Sequence, residues 1–136
     1  MQKLALIGFL VLAFACNKED DPEVFTSLSG YWIVRTPDNA TTVTFKIVTD
    51  ANSQYVIENI SVTHNGGAYG GQPIDSRIMV TSPTEVESIY FRTSDFVIGL
   101  LGMSVNTTFT ELQISNSSWN IDGAFREFAM IAATRK

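Results

Sequence analysis

One cysteine, one histidine and 14 carboxylate side chains are the groups in this 136-residue chain best suited to covalent, metal or acid–base chemistry. A zinc site takes three or four nitrogen, sulfur or carboxylate ligands, so His64 would have to recruit distant acids. The types needed for a Ser–His–Asp triad are present, but the G-x-S-x-G elbow is not. Two carboxylate pairs have a spacing that could flank a glycosidic bond. Glu85 and Glu87 alternate on a strand-like run and share one solvated face. In the other pair, with Glu127, Asp122 precedes Gly123 in a dipeptide that makes tight hairpin turns. These readings lead away from catalysis, and no pattern asks for a metal or cofactor.

The stretch "THNGGAYGGQPIDS" is the part of the domain most open to a binding role. Four glycines flank Tyr69, with His64, Asn65, Gln72 and Asp75 around it. Read as a loop over 64–75, it is longer than most connections in a compact domain, and loops of that length often bind. An exposed ring beside amide and carboxylate groups suits a sugar, whose C–H face stacks on the ring while its hydroxyls find hydrogen-bond partners. The candidate ligand contacts are therefore His64, Asn65, Tyr69, Gln72 and Asp75. A mobile hairpin tip with no ligand is the alternative.

Cys16 stands between the apolar run Leu4–Phe14 and the polar "NKEDDPE". A short basic start, an apolar run and small residues before a cysteine give the layout of an export signal. The run is about half of the roughly 20 residues that a membrane-spanning helix needs. "LAFAC" resembles the lipobox of bacterial lipoproteins. That resemblance implies cleavage behind Ala15 and a diacylglyceryl group on the Cys16 sulfur, for which a thiolate nucleophile is required. Lys18, Glu19, Asp20 and Asp21 resemble the signal by which Bacteroidota send lipoproteins to the cell surface. The implied location is the outer membrane, lipid-anchored and facing outward; a plain solvated tether is the other reading of these charges. The expected organisation is a signal peptide over 1–15, an acidic tether over 16–27 and a β domain over 28–136.

Nine basic and 14 acidic residues give a net charge of −5. Removal of residues 1–15 takes away Lys3 alone among them, leaving 8 basic against 14 acidic groups, or −6. That sign argues against nucleic acid and anionic lipid surfaces, which require concentrated Lys and Arg. About 120 residues are enough to bury a core without disulfides.

The elements that must carry these residues are strands. Val, Ile, Thr, Phe and Tyr dominate from residue 28 onward, the types that suit a pleated, half-buried surface. Strands are expected near 30–36, 41–49, 54–63, 76–82, 85–93, 97–105, 108–115 and 124–134, with turn residues between them. In "TTVTFKIVT" the apolar residues alternate strictly. "FVIGLLGMSV" lacks alternation and fits either a strand buried on both faces or a short helix. In 124–134 a strand with Phe128 and Met130 inward is favoured over a helix. Short connections predict an antiparallel meander.

Gly30 and Trp32 in "LSGYWIV" resemble the G-x-W that opens lipocalins, eight-stranded up-and-down barrels. The resemblance implies that Trp32 closes one barrel end beneath a late arginine, Arg126 or Arg135. "TSDF", Thr93 to Phe96, resembles the T-D-Y element of the same family. The fold expected is thus all-β, a single antiparallel domain of about eight strands, barrel-like, with a β-sandwich as the alternative. The function expected is a non-catalytic, membrane-anchored surface lipoprotein that binds a glycan or an envelope protein. A lipocalin-like carrier of a small hydrophobic molecule is the alternative, and a hydrolase comes last.

Mass spectrometry of the mature N-terminus tests the lipid. The expected result is a chain beginning at acylated Cys16; an unmodified Cys16 or cleavage elsewhere removes the anchor.

Overall fold

The computed structural model describes residues 24–136. Cys16, Lys18, Glu19, Asp20, Asp21 and the expected cleavage site lie outside the described residues. The domain is all-β, one antiparallel sheet of nine strands curled into a half-barrel. The strands are β1 (Gly30–Arg35), β2 (Thr41–Thr49), β3 (Tyr55–His64), β4 (Gly67–Gly71), β5 (Asp75–Ser82), β6 (Glu85–Arg92), β7 (Phe96–Val105), β8 (Glu111–Ile121) and β9 (Ala124–Arg135).

Their spatial order is β4-β3-β2-β1-β9-β8-β7-β6-β5, so every consecutive pair is adjacent except β4 and β5. Two meanders, β1–β4 and β5–β9, are joined where the first strand meets the last. The seam therefore falls between β4 and β5, and not between the two ends of the chain path. Across it β3 and β5 approach without a backbone ladder, and Tyr55 and Ile78 pack partly buried on the core.

The count exceeds the sequence expectation by one because β4 lies inside the stretch read as a loop. Asn65 and Gly66, at φ 47° and 82°, make the two-residue turn between β3 and β4, a type favoured by Asn-Gly because it matches strand twist. The 64–75 segment is thus mostly hairpin and edge strand. The Asp122-Gly123 turn expected from the sequence is present, with φ 53° and 81°.

The β1–β9 junction has only three residue pairs in register: Trp32 with Arg135, Ile33 with Thr134 and Val34 with Ala133. Side chains complete it. Trp32 is fully buried and its indole N–H donates to the Leu28 carbonyl at 2.8 Å. The Arg135 guanidinium lies over the Trp32 ring, 4.4 Å from its centroid, and over Phe25 at 4.3 Å. Its nitrogens donate to the carbonyls of Ser27, Ser29 and, at 3.0 Å, Phe109. Of the two arginines the G-x-W pattern allowed, Arg135 is the one that packs on the tryptophan. Arg126 instead pairs with Asp38 and lies over Phe128. Gly30 explains the first letter of the pattern: it sits at φ 131°, and a β-carbon there would come within 2.5 Å of Arg135 Nη1.

Within the half-barrel, Trp32, Trp119, Phe45 and Phe91 are the largest fully buried side chains, surrounded by Ile, Leu and Val. The rings of Phe45, Phe91 and Phe96 touch in sequence, at 5.6 and 6.3 Å between centroids. The Trp119 indole N–H reaches Ser117 Oγ, which donates onward to the Phe128 carbonyl, each at 2.8 Å. The polar atoms of both indoles are thereby satisfied inside the core.

Trp32→Ala is expected to lower stability by about 3–5 kcal/mol. Gly30→Ala should lower it too, since the new methyl displaces Arg135 at a backbone angle L-residues avoid. Chemical denaturation checks both; an unchanged midpoint for Trp32→Ala would place that ring outside the core.

Candidate functional site

Of the sequence-derived contacts, His64 and Asn65 meet each other, while Tyr69, Gln72 and Asp75 each have a different neighbour. His64 Nδ1 lies 2.7 Å from the hydroxyl of buried Thr41, and Asn65 Nδ2 lies 3.3 Å from His64 Nε2. Asn65 also holds the hairpin through its backbone N–H, which donates to the Ala40 carbonyl at 3.0 Å. Tyr69 pairs in register with fully buried Val62 and packs partly buried against the core. Its ring lies along Gly67, where the absence of a side chain leaves room for it: a β-carbon there would meet the Tyr69 hydroxyl at 3.4 Å. Tyr69 is thus half-buried, with part of its ring engaged by the core and by Gly67. Gln72 donates to Asn59 Oδ1 at 3.1 Å, spanning β3 and the link after β4. Asp75 is exposed at the start of β5, opposite Arg92.

The outer face of β5–β9 has a different character, produced by an interruption of the ladder at one level. Inward residues normally recur every second position, but here they jump by three: Val86 to Ile89, Leu100 to Met103, Ile114 to Ser117 and Phe128 to Ile131. Between them two consecutive residues turn outward on each strand. Glu87, Gly102, Ser115 and Met130 have no partner in register, while their neighbours Ser88, Leu101, Asn116 and Ala129 form a continuous row that Met79 extends onto β5. The result is a transverse crease across four strands.

Two backbone angles mark the crease, Gly102 at φ 62° and Met130 at φ 55°. Glycine tolerates the left-handed region, whereas for methionine it is strained. Against the inward position expected for it, Met130 is 77% exposed, because the crease reverses its side of the strand. The same interruption removes the alternation from "FVIGLLGMSV", which is β7, a strand and not a helix.

Shallow depressions flank the crease. One, of about 470 Å³, is lined by Glu85, Glu87, Gly102, Gln113, Ser115 and Met130 among others. Another, of about 420 Å³, is lined by Asp75, Arg77, Met79, Ser88, Tyr90 and Leu101. Met79 and Leu101 are 45% and 50% exposed. Among the described residues no three His, Cys, Asp or Glu side chains gather as a metal site would require. Glu85 and Glu87 are both exposed and line the first of these depressions.

Sequence reasoning missed Arg77, Met79, Tyr90, Leu101 and Met130 as surface candidates. Tyr90 could have been found: Ile89 and Phe91 are inward, so alternation places its ring outward. No family model, curated protein or solved structure matches the chain.

Replacing Met130 by glycine tests the strain. Relief of a left-handed backbone is worth about 1–2 kcal/mol, against about 0.4–1 kcal/mol of extra unfolded-state entropy. Little packing is lost at an exposed side chain, so denaturation should show a net gain of about 0.5–1 kcal/mol. A loss of stability would mean that Met130 makes contacts worth more than its strain.

Proposed function

We propose that this chain is a non-catalytic surface lipoprotein, anchored through Cys16, whose β domain binds a ligand or partner of the cell envelope on the outside of its sheet. The observation that carries the binding part is the outer face of β5–β9, where Met79, Leu101 and Met130 stand exposed around open depressions. Exposed apolar side chains grouped on one face commonly mark interaction surfaces. The interior offers less support for a ligand, since two tryptophans and a chain of phenylalanines occupy it.

Support for the anchor comes from the sequence: a lone cysteine directly behind an apolar run, followed by Lys18, Glu19, Asp20 and Asp21. A single acyl chain binds membranes only marginally, so the two or more chains of a bacterial lipoprotein would be needed for a firm hold. A non-catalytic role is supported by the positions of the groups that could do chemistry. His64 is held by Thr41 and Asn65, and Asp122 serves a turn.

Two variants test the location. Cys16→Ala is expected to move the protein from the membrane pellet to the soluble fraction. Alanine at Lys18, Glu19, Asp20 and Asp21 should leave membrane association intact while lowering antibody labelling of intact cells several-fold. Equal labelling of this variant and the parent would reduce the charges to a tether.

A further inference from the structure

We infer that the depression around Tyr90 is a binding site for a carboxylate-bearing sugar, such as a hexuronate within an oligosaccharide. This rests on the reading of the domain as an external binding module and names the ligand class for it.

Four outward side chains on β5 and β6 fall together by register. Asp75 faces Arg92, and Arg77 faces Tyr90, so an acid, two guanidinium groups and a phenol occupy adjacent positions of one two-strand surface. Asp75, Arg77 and Tyr90 line the depression itself, with Met79, Leu101 and Ser88 completing it. None of the four enters a side-chain hydrogen bond, and the ion pair found among the described residues is elsewhere, between Arg126 and Asp38. Asp75 and Arg92 do not form a salt bridge with each other although they are cross-strand neighbours.

Each group has a part to play against an acidic sugar. The half-buried Tyr90 ring and the Met79 and Leu101 side chains offer apolar area to the C–H face of a pyranose. Arg77 presents a planar fork that matches a carboxylate with two parallel hydrogen bonds, and Arg92 adds a second cation beside it. Asp75 accepts from a pair of ring hydroxyls, which a carboxylate or phosphate group could not supply. The local excess of positive charge stands out in a chain of net charge −5, so an anionic ligand gains here what it would lose over the rest of the surface. The volume of about 420 Å³ suits a small ligand, and its open shape lets a longer glycan continue past either rim.

The test uses the full-length purified lipoprotein in detergent micelles, with oligogalacturonides as the acidic probe and xylo-oligosaccharides as the neutral one, followed by isothermal titration. The parent is expected to bind the acidic probe and to prefer it over the neutral probe by about tenfold or more. Tyr90→Ala and Arg77→Gln should each weaken binding about tenfold. Tyr90→Phe, which keeps the ring and the packing, should retain binding within a few-fold, separating loss of stacking from loss of fold. No binding of the acidic probe by the parent, equal affinity for the neutral probe, or unchanged affinity in both Tyr90→Ala and Arg77→Gln overturns the inference. Membrane fractionation of the same preparations reports separately on the anchor, so the sugar site can fail while the location stands.

Discussion

Arg135 holds together what the sheet alone barely joins. With only three pairs in register between β1 and β9, the two meanders would meet along a short, weak ladder. The guanidinium bridges that junction by lying on the Trp32 indole and donating to backbone carbonyls of the segment before β1 and of the turn before β8. A planar, permanently charged group that both stacks and donates in several directions is needed there, and lysine could not replace it. Gly30 is bare because the guanidinium passes over it, and the carbonyl of buried Leu28 receives the indole N–H. Because this junction joins β1 to β9, the seam of the sheet falls between β4 and β5.

The crease is the second organising feature. Filling a half-barrel with two tryptophans and several phenylalanines requires the strands to bend, and bending is achieved by slipping the alternation once on each of four neighbouring strands. What the interior gains in fit, the exterior shows as pairs of outward residues, among them a methionine in left-handed conformation. The exposed Leu101 and Met130 and the depressions beside them are thus a by-product of core geometry that a binding surface can use.

Much of the fold was legible because most strands obey one rule. Val43, Phe45 and Ile47 alternate cleanly and lie inward, and Gly30, Trp32 and a late arginine come together as their resemblance to a lipocalin opening implied. The failures cluster where the rule breaks. β8 runs on to Ile121, past the expected end at residue 115, because Ser115 and Asn116 both turn outward and the alternation stops there. Met130 faces solvent against its expected side for the same reason. β4 was hidden by its composition: glycines with a single aromatic look like a loop, yet Tyr69 covers Gly67 and the strand needs no other bulk. The surface around Tyr90 was not legible because it depends on register between β5 and β6, and register is a property of two segments that neither displays alone.

Time enters through the junction of β1 with β9. Arg135 reaches a carbonyl 107 positions earlier in the chain, whereas every other strand finds its neighbour across a turn of a few residues. Hairpins of the latter kind form in roughly 1–10 μs, whereas a contact that closes so long a circuit carries a larger loop-closure cost before it rewards the chain. Without that pairing β1 and β9 would each be the edge of a separate meander, and the inner faces of the two would lack each other's cover. The one pairing that no short turn enforces, fastened by one arginine on one tryptophan, is therefore the one that keeps β1 and β9 from standing open as edges to another chain.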